Sequence, residues 1–113
     1  MSRYMQIDIR ILPFYERRFV DRFPNIAELL QRADYSGPLK EEVSLYRLVD
    51  FLEGMSRDPK VNSALKEKIR PYVQRVLDLK SLARDHLLSR RLNELDQVLY
   101  RIEDQFEDLE ESL

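Results

Sequence analysis

Residues 88–113 read LSRRLNELDQVLYRIEDQFEDLEESL, and within them Leu88, Leu92, Leu95, Leu99, Ile102, Phe106, Leu109 and Leu113 recur at alternating steps of four and three. Steps of that kind return side chains to one stripe of a helix, because an α-helix turns once every ~3.6 residues. In heptad terms Leu92, Leu99, Phe106 and Leu113 occupy a, and Leu88, Leu95, Ile102 and Leu109 occupy d. Neither Gly nor Pro falls between Lys80 and Leu113. Nothing local therefore stops the helix, which at ~1.5 Å per residue would be about 50 Å long. The seam from Leu88 to Leu109 is the leading candidate interface. It has three uses open to it: the spine of this chain's own bundle, a zipper with a second copy, or a docking face for another protein's helix.

Charge divides at the start of this seam. From Arg57 to Arg91 the chain carries a net charge of +6, and from Leu92 to Leu113 a net of −7. The heptad e positions Ser89, Asp96, Glu103 and Glu110 make one flank of the seam mostly acidic. Its partner should offer cations, and the preceding segment has them, so the two blocks are expected to pair within one chain or between two copies.

Working back from the seam, Leu65, Ile69, Val73, Val76 and Leu79 continue a helical stripe, with Pro71 inside it as a kink or a split. Asp58-Pro59 reads as a helix start and Gly54 as a helix stop. A further helix is expected from Pro38 to about Glu53, with Glu41 and Glu42 at its positive end. Asn25 with Glu28 three residues on resembles a capping box for a helix carrying Ile26, Leu29, Leu30 and Ala33. A short helix is predicted from Pro13 to Arg22. Before it, Met5, Ile7, Ile9 and Ile11 alternate with polar residues as in a strand, yet no second strand pairs with them. Residues 4–12 are therefore read as helix, or as a strand that another copy would complete. Within Pro13–Arg22 and just beyond, Phe14, Tyr15, Phe19 and Phe23 with Arg18 place three rings on one face at i, i+4 steps; core packing explains them most simply, and they are otherwise the second candidate interface.

Composition removes several classes of function. The 113 residues include no Cys, one His and two Gly. A disulfide framework, a thiolate metal site, a His pair and a glycine-rich phosphate loop are all excluded. His86 stands alone, and the glutamates of 103–111 lack the Glu-x-x-His spacing of carboxylate-bridged iron bundles. No cofactor and no metal are expected, and the chain is not read as an enzyme. The formal charge of −2 supplies no global positive field for nucleic acid or an anionic membrane. Charges inside the N-terminal apolar stretch and the lack of any long apolar run argue against a signal peptide and a membrane span. A cytoplasmic location is the expectation.

The sequence thus predicts an all-α fold, a small bundle of about five helices with a long C-terminal heptad helix. Residues 1–56 would hold short helices and 57–113 a helical hairpin, together one helical domain. The functional expectation is a protein–protein interaction module (adaptor, assembly factor or regulatory subunit) that self-associates as a homodimer through Leu88–Leu109. The alternative is a nucleic-acid-binding module using the basic segment 66–91.

Overall fold

The computed structural model describes residues 3–5 and 8–113 and is all-helical, with six helices and no strand among them. These are α1 (Phe19–Arg22), α2 (Pro24–Arg32), α3 (Gly37–Lys40), α4 (Leu45–Arg57), α5 (Ser63–Leu88) and α6 (Leu92–Ser112). The last two form an antiparallel hairpin, against which α4 packs on both members and α2 on α6. The result is elongated, 52 × 25 × 24 Å.

The helix ends are set by local chemistry, often several residues from where the sequence places them. Ser44 accepts from Arg47 N at 3.1 Å and starts α4, so the expected Pro38–Glu53 helix is two pieces separated by residues 41–44. Asn62, not Asp58, caps α5, accepting from Ala64 N at 2.8 Å. Asp58 instead folds its own loop. It accepts from Lys60 N and from the Tyr35 hydroxyl, both at 2.9 Å, and these contacts, the first above all, hold its carboxyl below the usual range. Gly54 stops nothing and lies inside α4 beneath the Tyr35 ring. Pro71 neither splits nor ends α5, although it leaves the Glu67 carbonyl without its helical donor.

Two turns were not legible. Both α2 and α5 end in a double-bonded C-terminal turn whose key residue takes a left-handed backbone. After α2, Asp34 has φ 61°, with Asp34 N bonded to Gln31 O and Tyr35 N to Leu30 O. After α5, Arg90 has φ 55°, with Arg90 N bonded to Leu87 O and Arg91 N to His86 O. Glycine is usual at that position, and here an aspartate and an arginine fill it. The predicted uninterrupted helix from Lys80 to Leu113 is therefore corrected: it bends back at Ser89–Arg91. The side chains reinforce the bend, since Arg91 Nε donates to His86 Nδ1 at 2.9 Å.

The core explains why the chain turns. Ile69, Val73, Val76, Leu79 and Ala83 of α5 and Leu95, Val98, Ile102, Phe106 and Leu109 of α6 are buried together with Leu48, Val49, Leu52 and Met55 of α4. Ile26, Leu29 and Leu30 of α2 close one end. Glu110 ties that end down. Its two carboxylate oxygens accept from Asn25 N at 2.9 Å and Ile26 N at 3.0 Å, and its carbonyl accepts from the Asn25 side chain at 3.2 Å. The N-terminus of α2 is thus capped by a residue 85 positions away, and Asn25 is not the cap.

Residues 8–15 run without regular secondary structure. The helix expected over 4–12 is absent among its described residues, and Gln6 and Ile7 of that segment lie outside them. The predicted Pro13–Arg22 helix shrinks to the four residues of α1.

Candidate functional site

The seven seam residues divide into two groups. Leu95, Ile102, Phe106 and Leu109 are buried in the chain's own core, and Leu99 is half-buried at its edge. Leu88 is 71% and Leu92 51% exposed, because the Ser89–Arg91 turn falls between them. A second copy could reach only Leu88, Leu92 and the outer edge of Leu99 without opening the bundle.

The charge blocks do not pair as expected. Among the described residues, no ion pair within 4 Å joins the basic block 57–91 to the acidic block 92–113. The basic block looks elsewhere. Lys80 Nζ lies 2.7 Å from Asp50 and 4.5 Å from the Tyr46 ring centre, linking α5 to α4. Lys66 donates to the Asp58 carbonyl at 2.9 Å. Arg70 pairs with Glu67, Arg57 with Glu53, and Arg75 lies over the Tyr72 ring. In the acidic block, Glu107 takes Arg22 at 2.9 Å and Glu110 takes the start of α2.

The second candidate interface also divides. Phe19 and Phe23 are buried. Tyr15 stacks edge-on against Phe19 with ring centres 5.9 Å apart, and Phe19 meets Phe23 at 5.4 Å. The three rings do line up, although Tyr15 precedes the helix. Its hydroxyl donates to Val43 O at 2.6 Å, which pins the extended arm to the start of α4. Arg18 is exposed and occupied by Asp21. Phe14 alone is free, 88% exposed, with Leu12 beside it at 67%.

These pieces meet in one open groove of about 790 Å³. One rim is the arm from Ile11 to Arg17, one end is Ser44–Tyr46, and the opposite wall is α6. The wall presents Leu99 and Tyr100, the latter 60% exposed, flanked by Asp96, Glu103 and Glu107. Counting Glu16, four carboxylates thus line the groove with two guanidinium groups, Arg17 and Arg22, and Arg22 is already held by Glu107. Among the described residues, Asp96 and Glu103 have no cation within 4 Å. The groove's negative field is felt by its own titratable groups. Partial burial, then the carboxylates of Glu107, Asp104 and Asp96, raise the Glu103 carboxyl above its ordinary value. Burial, then Glu42 and Glu103, push the Tyr15 hydroxyl up to about 12.

The sequence pointed to the acidic e flank and to Phe14, but not to their sharing a groove. Tyr100, at heptad position b, was missed; an exposed aromatic on an otherwise charged face was the available signal. A second depression, lined by Arg32, Tyr35, Asp58, Lys60 and Lys68, is laced by the Tyr35–Asp58–Lys60 bonds that shape its loop. Among the described residues no three His, Asp or Glu side chains converge to hold a metal ion, and no helix is long and apolar enough to cross a membrane.

Fold and groove together define a small helical bundle with an open, acid-walled groove of partly apolar lining. No protein family matches the chain, and no curated protein or solved structure is significantly similar to it.

Proposed function

We propose that this chain is a non-enzymatic protein-interaction module that works through the groove between its N-terminal arm and α6. The observation that carries the proposal is Phe14, which stands almost fully exposed with Leu12 at the rim of a groove whose opposite wall carries Leu99 and Tyr100. Exposed apolar groups clustered at a concave surface are what protein contacts use, with aromatic side chains as anchors. The seam contributes indirectly: its buried half holds α6 rigid, and its e flank supplies the groove wall. Ile11 and Tyr15 hold the arm against the bundle, which leaves Leu12 and Phe14 projecting between and beside them at the rim.

The nucleic-acid alternative has less support. Lys66, Arg70, Arg75, Lys80 and Arg91 of the basic segment are engaged within the fold, which disperses the phosphate-binding stripe it would need.

The test is site-specific photo-crosslinking in the native cells with p-benzoylphenylalanine at position 14 or 100, and at positions 70 and 74 on α5 as controls. Discrete adducts at 14 and 100 but not at the controls are expected; adducts at all four, or at none, would defeat the proposal. Light scattering on the purified chain separates the kinds of partner. A mass of twice 13.6 kDa identifies a second copy, and 13.6 kDa at all concentrations directs the search to another protein.

A further inference from the structure

We infer that the groove's occupant is a cationic amphipathic helix, with two Lys or Arg residues spaced seven apart and an apolar residue between them. The inference rests on the groove being the contact surface and adds the chemistry of what it takes.

The wall sets the pattern. Asp96 and Glu103 are seven residues apart on α6, hence two turns, or about 10.5 Å along the axis. Leu99 and Tyr100 lie between them. Both acids line the groove, and neither has a cation within 4 Å among the described residues. Their neighbours differ: Glu107 is neutralised by Arg22 and Glu110 by the N–H groups of α2. On this side of α6, Glu107 and Glu110 are therefore satisfied inside the fold while Asp96 and Glu103 are open, and the open pair borders Leu99 and Tyr100. A helix laid along α6 repeats its own face every two turns, so cations at i and i+7 meet Asp96 and Glu103 while an apolar side chain at i+3 or i+4 reaches Leu99 and Tyr100. An acidic or neutral helix would leave Glu103, already crowded by Asp96, Asp104 and Glu107, without relief. Arg17 on the opposite rim limits the number of cations the groove accepts, which favours two over a polybasic run.

The probes are three synthetic helical peptides of equal length and apolar content. One carries Arg at i and i+7, one carries Glu at those positions, and one carries the two Arg residues at i and i+5. Binding is read by fluorescence anisotropy and located by backbone amide shifts. The i, i+7 Arg peptide is expected to shift Leu99 and Tyr100 and to bind at least about tenfold more tightly than the other two. Asp96→Asn with Glu103→Gln should remove about tenfold of that affinity, whereas Glu94→Gln with Asp108→Asn, equal in net charge and outside the groove, should change it less than about twofold. Equal loss with the two variant pairs, or equal binding of the Arg and Glu peptides, overturns the inference. If the Glu peptide shifts Leu99 and Tyr100 at the same concentrations as the Arg peptide, the groove stands as a contact surface and only the cationic chemistry fails. If no peptide shifts them, both readings fall. The neutral substitutions sit at exposed positions, and thermal melts confirm that each variant is folded before it is scored.

Discussion

Replacing Arg90 by glycine distinguishes a bent hairpin from a continuous helix by the sign of the effect. In the hairpin Arg90 has φ 55°, a left-handed backbone that costs an L-residue roughly 1–2 kcal/mol and glycine almost nothing. Glycine also frees the unfolded chain, which offsets about 0.4–1 kcal/mol of that gain. The Arg90 side chain is exposed, so no packing is lost with it. Both backbone bonds of the turn, Arg90 N to Leu87 O at 3.1 Å and Arg91 N to His86 O at 2.9 Å, survive the change. Arg90→Gly should therefore stabilise by about 0.5–1 kcal/mol, roughly 2–5 °C in melting temperature for a domain of this size. In an uninterrupted helix the same change would cost about 0.8–1 kcal/mol. Arg91→Gly is the internal control. Arg91 has φ −86° and bonds His86 through Nε, so glycine there should destabilise. Urea denaturation measures both, with the slope checked for constancy. A loss of about 1 kcal/mol for Arg90→Gly at unchanged slope would refute the bend.

Gly54→Ala should stabilise by up to about 1 kcal/mol, since the new Cβ would meet Tyr35 at an ordinary 3.6 Å; a fall in midpoint would show that the Tyr35 ring has no room to share. Glu110→Ala removes both acceptors at the start of α2 and should cost about 1–2 kcal/mol, with faster amide exchange at Asn25 and Ile26; Glu110→Gln, which keeps one acceptor, should lose roughly half as much. Because the Tyr15 pKa is raised from 10.0 to about 12, the fold favours its neutral form. That contribution is complete below pH 10 and is lost as pH rises from there toward 12; an ultraviolet titration should show Tyr15 ionising last, after Tyr35 and Tyr46, which are also raised, and Tyr15→Phe should lose that last component. Raised Glu103 makes the fold prefer the protonated acid, so stability falls as pH climbs from the ordinary glutamate range through the folded value; Glu103→Gln should melt higher than wild type at pH 7, with the difference vanishing in acid.

The amphipathic stretches were plain from spacing alone, because a helix that buries one face must repeat its apolar residues every three or four positions. That reading found α2, α4, α5 and α6, and it placed Ile102, Phe106 and Leu109 on one stripe. It failed at the bends. Gly54 resembled a stop and was not one, because α4 gains more by continuing under Tyr35 than a single glycine costs. Ser89-Arg90-Arg91 resembled helix and was not, because no residue there prefers a left-handed backbone. In the candidate site, spacing identified the acidic e flank and the aromatic ladder separately. Their meeting across 80 or so positions of chain, and the freedom of Phe14 while Phe19 and Phe23 are buried, depend on where the arm is pinned by Tyr15 to Val43.

What the sequence determined by itself is the helical class, the apolar faces and the segregation of charge, all properties of neighbours within a turn or two. Long-range packing alone sets the direction of the last helix and therefore which surfaces remain free. Folding α6 back buries Leu95, Val98, Ile102, Phe106 and Leu109, each contributing roughly 1.5–3 kcal/mol on removal from water. That total exceeds the ~1–2 kcal/mol local penalty at Arg90 several times over. A local preference of that size is overruled by long-range burial, and the acidic flank that spacing assigned to the basic helix is turned instead toward the N-terminal arm.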